Sequence, residues 1–332
     1  MRTIIETPRL KLRELTPDDL PALRTILQDD DVMYAYGGAF SDEEVNTWLS
    51  NRLASYRSGG YSLWAVVLKE NGELIGQCGL TDQTPLSETI LEVGYLFAKK
   101  HWGQGYATEA ADAVKTYAFE TLDTDSLYAI IRATNHPSRN VAKRLGMHCI
   151  KYFIKHYRGI DMPHFLYRIR RDESTRILRL DEHPEYIPVC AAWIYAQWGS
   201  QSDGTPDGAL RKFCEKAAPG QLPISLIAIH DNKPAGTISL WTSDHHMDDI
   251  GPWLAALYVH PFHRNEGIAL TLIDLVIDEA CKRGDASIYL VTEDAGELYR
   301  RFGFEDVRKL VSDYGEATLM KLTLMGYKKS GV

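Results

Sequence analysis

The feature that most constrains this chain is a run that it contains twice. The first copy is His101-Trp102-Gly103-Gln104-Gly105-Tyr106-Ala107-Thr108-Glu109-Ala110. The second is His263-Arg264-Asn265-Glu266-Gly267-Ile268-Ala269-Leu270-Thr271-Leu272. Each follows an apolar stretch that reads as a buried strand, residues 91–97 and 253–259, and each opens a helix. A glycine-bearing turn between a strand and a helix start leaves several backbone N–H groups without partners. The helix dipole adds partial positive charge there. Such a turn is a diphosphate site made of backbone rather than of basic side chains.

The elements around the two runs follow the same plan. Residues 9–15 alternate as a half-buried strand, and Thr16-Pro17-Asp18-Asp19 opens a helix carrying Leu20, Leu23 and Leu27 on one face. A second helix starts at Asp42-Glu43-Glu44. Residues 62–68 and 74–80 form a hairpin about Asn71-Gly72. After the first turn come a helix with an apolar stripe (Ala107, Ala110, Ala111, Val114, Tyr117, Ala118), a strand at 127–131, a short helix over 138–145 ending at Gly146, and a closing hairpin. The polar stretch at 170–175 is read as the boundary. The plan then restarts with a strand at 177–180, a helix from His183-Pro184-Glu185, and a helix over 210–217 broken by Pro219-Gly220. A hairpin about Asn232-Lys233-Pro234 and the second strand–turn–helix follow. That second helix has Ala269, Leu272, Ile273, Val276 and Ala280 as its stripe. A short helix over 295–302 ends at Gly303, and a last strand covers 318–324. The two turns lie roughly 160 residues apart, which is a duplicated domain rather than a solenoid repeat. The expected domains are 1–171 and 175–332.

At this point the order of elements and the turn residues resemble the Gcn5-related N-acetyltransferase (GNAT) superfamily, twice over. Its signature, Arg/Gln-x-x-Gly-x-Gly/Ala, is matched fully by Arg264-Asn265-Glu266-Gly267-Ile268-Ala269. The first half reads Trp102-Gly103-Gln104-Gly105-Tyr106-Ala107 and departs at the first position. Its Trp-Gly-x-Gly-Tyr-Ala-x-Glu-Ala form, with Asn135-x-x-Ser138 and Lys143-Arg144-Leu145-Gly146, is similar to the Rim-type branch, which acetylates ribosomal-protein N-termini and many other amines. His183-Pro184-Glu185, Ala192-Trp193, Gln197-Trp198, Pro252-Trp253-Leu254 and Tyr258-Val259-His260-Pro261 make the second half similar to the actin N-terminal acetyltransferase group and its bacterial relatives.

The resemblance implies an α/β (α+β mixed-sheet) chain of two tandem GNAT folds. Each would be a mostly antiparallel twisted sheet with a splayed fourth and fifth strand and flanking helices. It implies an N-acetyltransferase that takes acetyl-CoA and transfers its acetyl group to a primary amine by direct attack. The alternative is one catalytic domain with the other a scaffold or a CoA-binding sensor lobe, or an aminoglycoside or polyamine acetyltransferase rather than a peptide N-terminal one. The cofactor set is then Phe97, Trp102, Gly103, Gln104, Gly105, Tyr106, Ala107, Thr108 and Asn140 in the first half. In the second it is Tyr258, Val259, Arg264, Asn265, Glu266, Gly267, Ile268, Ala269 and Leu270.

Acetyl transfer needs a gripped donor, a deprotonated amine, donors for the oxyanion and an acid for the thiolate. Tyr299 stands where the superfamily places the tyrosine that protonates the thiolate; it also reads as a core aromatic on a short helix. The first half has Ala142 there, four residues before Gly146, and Ser138 with Asn135 are the substitutes by resemblance. Ser138 reads equally as a helix N-cap. Glu92 is a carboxylate inside an apolar strand. It reads as a base of raised pKa, or as the partner of a nearby cation, or as a side chain pointing out from the sheet. Trp193, Trp198, Trp241 and Trp253 line an acceptor cleft or fill core. His245-His246-Met247-Asp248-Asp249 has no partner cluster at ligand spacing, and His260-x-x-His263 reads as structural, so no metal is expected.

Net charge of −8 argues against nucleic acid and favours cationic acceptors. The expected acceptor is a small-molecule or peptide amine. Five scattered cysteines without a CxxC pair suit a reducing compartment. No signal-like or membrane-length apolar run appears, so a cytoplasmic chain without a membrane partner is expected, either a monomer whose halves form a pseudo-dimer or a homodimer.

Overall fold

The computed structural model describes residues 2–171, 175–201, 204–216, 222–244, 247, 249–312 and 314–324. Part of the boundary stretch (172–174), the Pro219-Gly220 breaker, and His245, His246 and Asp248 of the histidine run lie outside the described residues. The chain divides into two compact units between 171 and 175, apart from residues 149–151, which group with the second.

The first unit runs β1 (Thr3–Glu6), β2 (Leu10–Arg13), α1 (Leu20–Leu27), α2 (Asp30–Met33), α3 (Asp42–Gly59), β3 (Leu63–Leu68), β4 (Leu74–Gln83), β5 (Ile90–Phe97), α4 (Tyr106–Glu120), β6 (Ser126–Arg132), α5 (His136–Arg144), β7 (His148–Tyr157) and β8 (Ile160–Arg170). Its sheet has the order β1-β2-β3-β4-β5-β6-β8-β7. Helix α3 starts in a reciprocal cap: the Ser41 N–H donates to Glu44 Oε2 at 2.8 Å, and the Glu44 N–H donates to Ser41 Oγ at 3.2 Å. Leu23, Ile26 and Leu27 of α1 are fully buried and pack with Val45 and Leu49 of α3 and Ala65 of β3. Each such side chain stabilises the unit by roughly 2 kcal/mol. Helix α4 packs on β4 and β5 through its buried small face, Ala110, Ala111, Val114 and Ala118.

The second unit runs β9 (Arg176–Arg179), α6 (Ile187–Gln197), α7 (Pro206–Lys216), β10 (Ile224–His230), β11 (Lys233–Trp241), β12 (Trp253–Val259), α8 (Ile268–Arg283), β13 (Ser287–Thr292), α9 (Gly296–Arg300), β14 (Glu305–Ser312) and β15 (Gly315–Thr323). Its sheet has the order β14-β15-β13-β12-β11-β10-β9. Helix α8 packs on β11 and β12.

In both sheets one neighbouring pair is parallel and barely joined. β5 meets β6 at the single register pair Glu92–Tyr128, and β12 meets β13 at Trp253–Tyr289. Beyond those pairs the strands diverge. Among the described residues, the edges of β5 and β12 that lead to the glycine turns therefore have no strand beside them. This is the expected splay, placed at the strand before each turn.

Three local readings change. The β10–β11 turn is Asp231-Asn232, not Asn232-Lys233-Pro234; both residues have positive φ (48° and 60°), as a two-residue hairpin turn requires. Helix α5 begins at His136, because Asn135 rather than Ser138 is the cap, accepting the Ser138 N–H at 3.1 Å. β1 and β14 are further strands. β14 is exposed on both faces along most of its length, so it lacks the alternation that marks a half-buried strand.

Close sheet packing generates a stability test. Gly79 of β4 lies opposite Gly94 of β5, and a Cβ on Gly79 would sit 2.1 Å from the Ser62 carbonyl oxygen. That oxygen is backbone and cannot swing away. Gly79→Ala is expected to lower unfolding stability by about 2–3 kcal/mol, read as a lower urea midpoint at unchanged slope. A midpoint equal to wild type would contradict the packing.

Candidate active site

The first glycine turn is built by positive φ at Gly103 (76°) and Gly105 (79°). Gly105 is the cap of α4, and the first helical bond is from the Glu109 N–H to the Gly105 carbonyl at 3.0 Å. Among the described residues, none accepts from the N–H groups of Gly103 through Thr108. The second turn has the same form. Asn265 (66°) and Gly267 (82°) take the positive φ values, and the Thr271 N–H donates to the Gly267 carbonyl at 3.0 Å. Ile268, Ala269 and Leu270 are left without helical acceptors. The openings differ in cover: Tyr106, Ala107 and Thr108 are half-buried, whereas Ile268, Leu270 and Thr271 are buried.

The departure at Trp102 has a physical explanation. Its indole N–H donates to the Phe97 carbonyl at 2.8 Å, and the Arg264 guanidinium N–H donates to the Val259 carbonyl at 3.2 Å. In each half the signature's first side chain closes the turn onto the end of the preceding strand. An indole does this as well as a guanidinium. Arg9 is a residue that sequence reasoning missed. It donates to Glu109 at 2.6 Å and to the Gln104 carbonyl at 3.0 Å, and its guanidinium lies 4.4 Å over the Tyr106 ring. It thus brings a cation to the first turn from far away in sequence, where no spacing signal marks it.

Glu92 occupies the apex of the first splay. Its Oε1 accepts the Ile130 N–H at 3.1 Å, and Thr81 Oγ1 donates weakly to Oε2 at 3.5 Å. Ile130 lies two residues past the last β5–β6 pair, so the carboxylate satisfies an amide that the diverging strand abandons. Burial raises the Glu92 pKa to about 7; the Ile130 bond and the Lys155 charge oppose the rise. Around it, Tyr36 packs edge-on against Phe40 (6.4 Å) and Trp48 (6.1 Å). Burial, then the Glu92 and Tyr157 charges, push the Tyr36 phenol up. Tyr95 donates its phenol to the Ser138 carbonyl at 2.9 Å, tying β5 to α5. Ser138 and Asn140 are half-buried on α5, and Asn135 acts as its cap.

In the second unit Tyr299 is buried on α9, 5.9 Å from the Phe304 ring. Burial, then Glu293 and Asp294, hold its phenol above the usual tyrosine range. Ala142, its counterpart in the first unit, is fully buried. A second missed feature is a bulge in β12. The register passes from Thr237–Tyr258 to Ser239–Ala255, so Ala256 and Leu257 face one residue of β11, and Ala256 has φ 53°. A bulge takes a peptide group out of the ladder beside the splay. β5 pairs with β4 without such a shift. Of the tryptophans, Trp241 and Trp253 are core, while Trp193 stacks on Tyr258 at 5.2 Å. Among the described residues no helix is long and apolar enough to cross a membrane.

Comparison with known proteins gives two family matches. Residues 9–148 match a model described as acetyltransferase (GNAT) domain, and residues 178–304 one described as acetyltransferase (GNAT) family. The uncharacterized protein YkkB of Bacillus subtilis is 36% identical over 151 residues, 45% of this chain and 88% of that protein. The FsC-acetyl coenzyme A-N(2)-transacetylase of Aspergillus fumigatus is 29% identical over 206 residues, 57% of this chain and 86% of that protein. A solved acetyltransferase from Agrobacterium tumefaciens is 30% identical, covering 52% of this chain and 95% of its own, with a TM-score of 0.42.

The raised Glu92 pKa fixes the sign of a pH effect. The folded state holds this proton more tightly than the unfolded chain, so the native state is favoured at low pH and loses that advantage as pH rises from about 4.5 towards 7. Glu92→Gln removes the titration. Between pH 5 and 8 the variant should gain on wild type by an amount on the order of 1–3 kcal/mol, measured by urea unfolding at both pH values. A difference that does not change with pH would mean the carboxyl is not desolvated.

Proposed function

This chain belongs to the GNAT acetyltransferase family in both of its halves, and from that membership we propose that it carries acetyl from acetyl-CoA to a primary amine by direct attack of that amine. The residues present suit the donor. The free N–H groups of Gly103 through Thr108, with Arg9 beside them, suit a diphosphate. The open edge of β5 beyond Glu92 suits an extended, amide-bearing arm. When bound, acetyl-CoA supplies an activated acyl group and a thiolate leaving group.

The chain's own groups then have these roles. Glu92 takes the proton of the incoming ammonium; with a pKa of about 7 it is partly ionised at neutral pH and can release the proton again. Tyr36, Phe40 and Trp48 form an apolar wall on its acceptor side. In the second unit Tyr299 keeps its proton at every physiological pH and offers it to a thiolate. The peptide group displaced at Ala256 is the donor for negative charge developing on the acyl oxygen.

The observation that carries this reading is a carboxyl of pKa about 7 at the apex of the splay. A second reading, in which one unit turns over and the other only holds cofactor, is favoured by the buried Ala142 where the other half has Tyr299. Both are tested together by thiol release with a panel of amines in Tyr299→Phe protein, which isolates the first unit. Its rate should rise with pH through about 7, and adding Glu92→Gln should cut it by about 10²–10⁴-fold. A doubly substituted protein with undiminished rate would remove Glu92 as base. A Tyr299→Phe protein already without activity would confine turnover to the second unit.

A further inference from the structure

We propose that His230, His263 and Glu266 form a site for one borderline divalent cation of the zinc class, beside the second glycine turn. The three come from separate places in the sequence. His230 ends β10 at the Asp231-Asn232 hairpin, whereas His263 and Glu266 flank the start of the turn that leads into α8. One ligand atom from each lies within 4.8 Å of the others. Glu266 Oε2 is 3.4 Å from His263 Nδ1 and 3.9 Å from His230 Nε2. Ligands held about 2.0–2.1 Å from a tetrahedral metal are about 3.3 Å apart. The Glu266–His263 distance already fits; the Glu266–His230 distance and the separation of the two imidazole nitrogens, which is within 4.8 Å, need the surface hairpin to close on the turn.

Two details point to an ion rather than to ion pairs alone. His263 Nδ1 is buried and has no hydrogen-bond partner, although the Glu266 carboxylate is close, so its lone pair or proton is not used by the protein. His230 Nδ1 is bonded to Thr175 Oγ1 at 2.7 Å, which leaves Nε2 facing two carboxylates, Asp231 Oδ2 at 3.6 Å and Glu266 Oε2 at 3.9 Å. A second hydrogen bond of this kind orients metal-binding imidazoles. The two rings meet edge to face, 5.3 Å apart. Two imidazoles and one carboxylate leave a fourth tetrahedral position for water.

A cation here would fasten the β10–β11 hairpin to the turn and offset the Glu266 carboxylate, which otherwise places negative charge beside an anion-receiving row of amides. The sequence expectation of no metal rested on spacing along the chain; the fold supplies His230 from the neighbouring hairpin. The site does not depend on which amine is acetylated.

The test uses the tag-free full chain, stripped with chelator and titrated with Zn2+ by calorimetry, with metal content measured after gel filtration. One ion per chain is expected. His230→Gln, His263→Gln and Glu266→Gln together should abolish the uptake, and Co2+ in the wild-type chain should show the intense visible bands of a four-coordinate ion. No uptake by wild type, or uptake that the triple variant keeps, overturns the proposal. If the triple variant fails to fold, Thr175→Val decides. Affinity at least tenfold weaker supports the site, and unchanged affinity overturns it.

Discussion

Everything in this fold that bears on chemistry follows from strands that part company. A parallel neighbour joined at one register pair cannot continue the ladder, so β5 and β12 each keep a free edge pointing at a glycine turn. Backbone polar groups left in this way need partners. At the apex of the first splay, Glu92 supplies one for Ile130. At the far end, the amides of Gly103 through Thr108 are left without an acceptor among the described residues. The bond to Ile130 and the raised pKa thus meet in one side chain. The burial that makes Glu92 useful to the sheet also lifts its pKa to the range a base needs.

The two units solve this problem unequally. The first has the apical carboxyl, a half-buried helix start and Arg9, but Ala142 where the second has Tyr299. The second has Tyr299 and the Ala256 bulge but more cover over the start of α8. Left-handed backbone at a non-glycine residue costs roughly 1–2 kcal/mol, and the bulge keeps Ala256 there beside the splay. The two units therefore carry different inventories at the splay and the turn, rather than two copies of one.

Legibility from sequence followed the physics of each feature. The turns were readable because positive φ selects glycine, or asparagine at 265, and because a helix start and a buried strand each have their own periodicity. The role of Trp102 was not readable. What matters is an N–H reaching the Phe97 carbonyl, and both an indole and a guanidinium satisfy that. Ala256 gave no sign, since an alanine in an apolar strand looks the same in or out of register. β14 escaped because its residues are mostly exposed on both faces. Arg9 and His230 act through contacts made only by folding, with Gln104 and Glu266 far along the chain. Of the two readings of Ser138, the helix cap falls instead to Asn135, three residues earlier, because Asn and Ser compete for that role.

The central claim is that amides at the helix starts, rather than a basic patch, receive the diphosphate of coenzyme A. Amide chemical-shift mapping of the 15N-labelled chain during titration with coenzyme A tests it most directly. The account predicts that the largest saturable shifts fall on the N–H groups of Gly103 through Thr108, with those of Asn265 through Leu270 following at higher concentration. Shifts confined to residues outside both turns, or none at all, would contradict it.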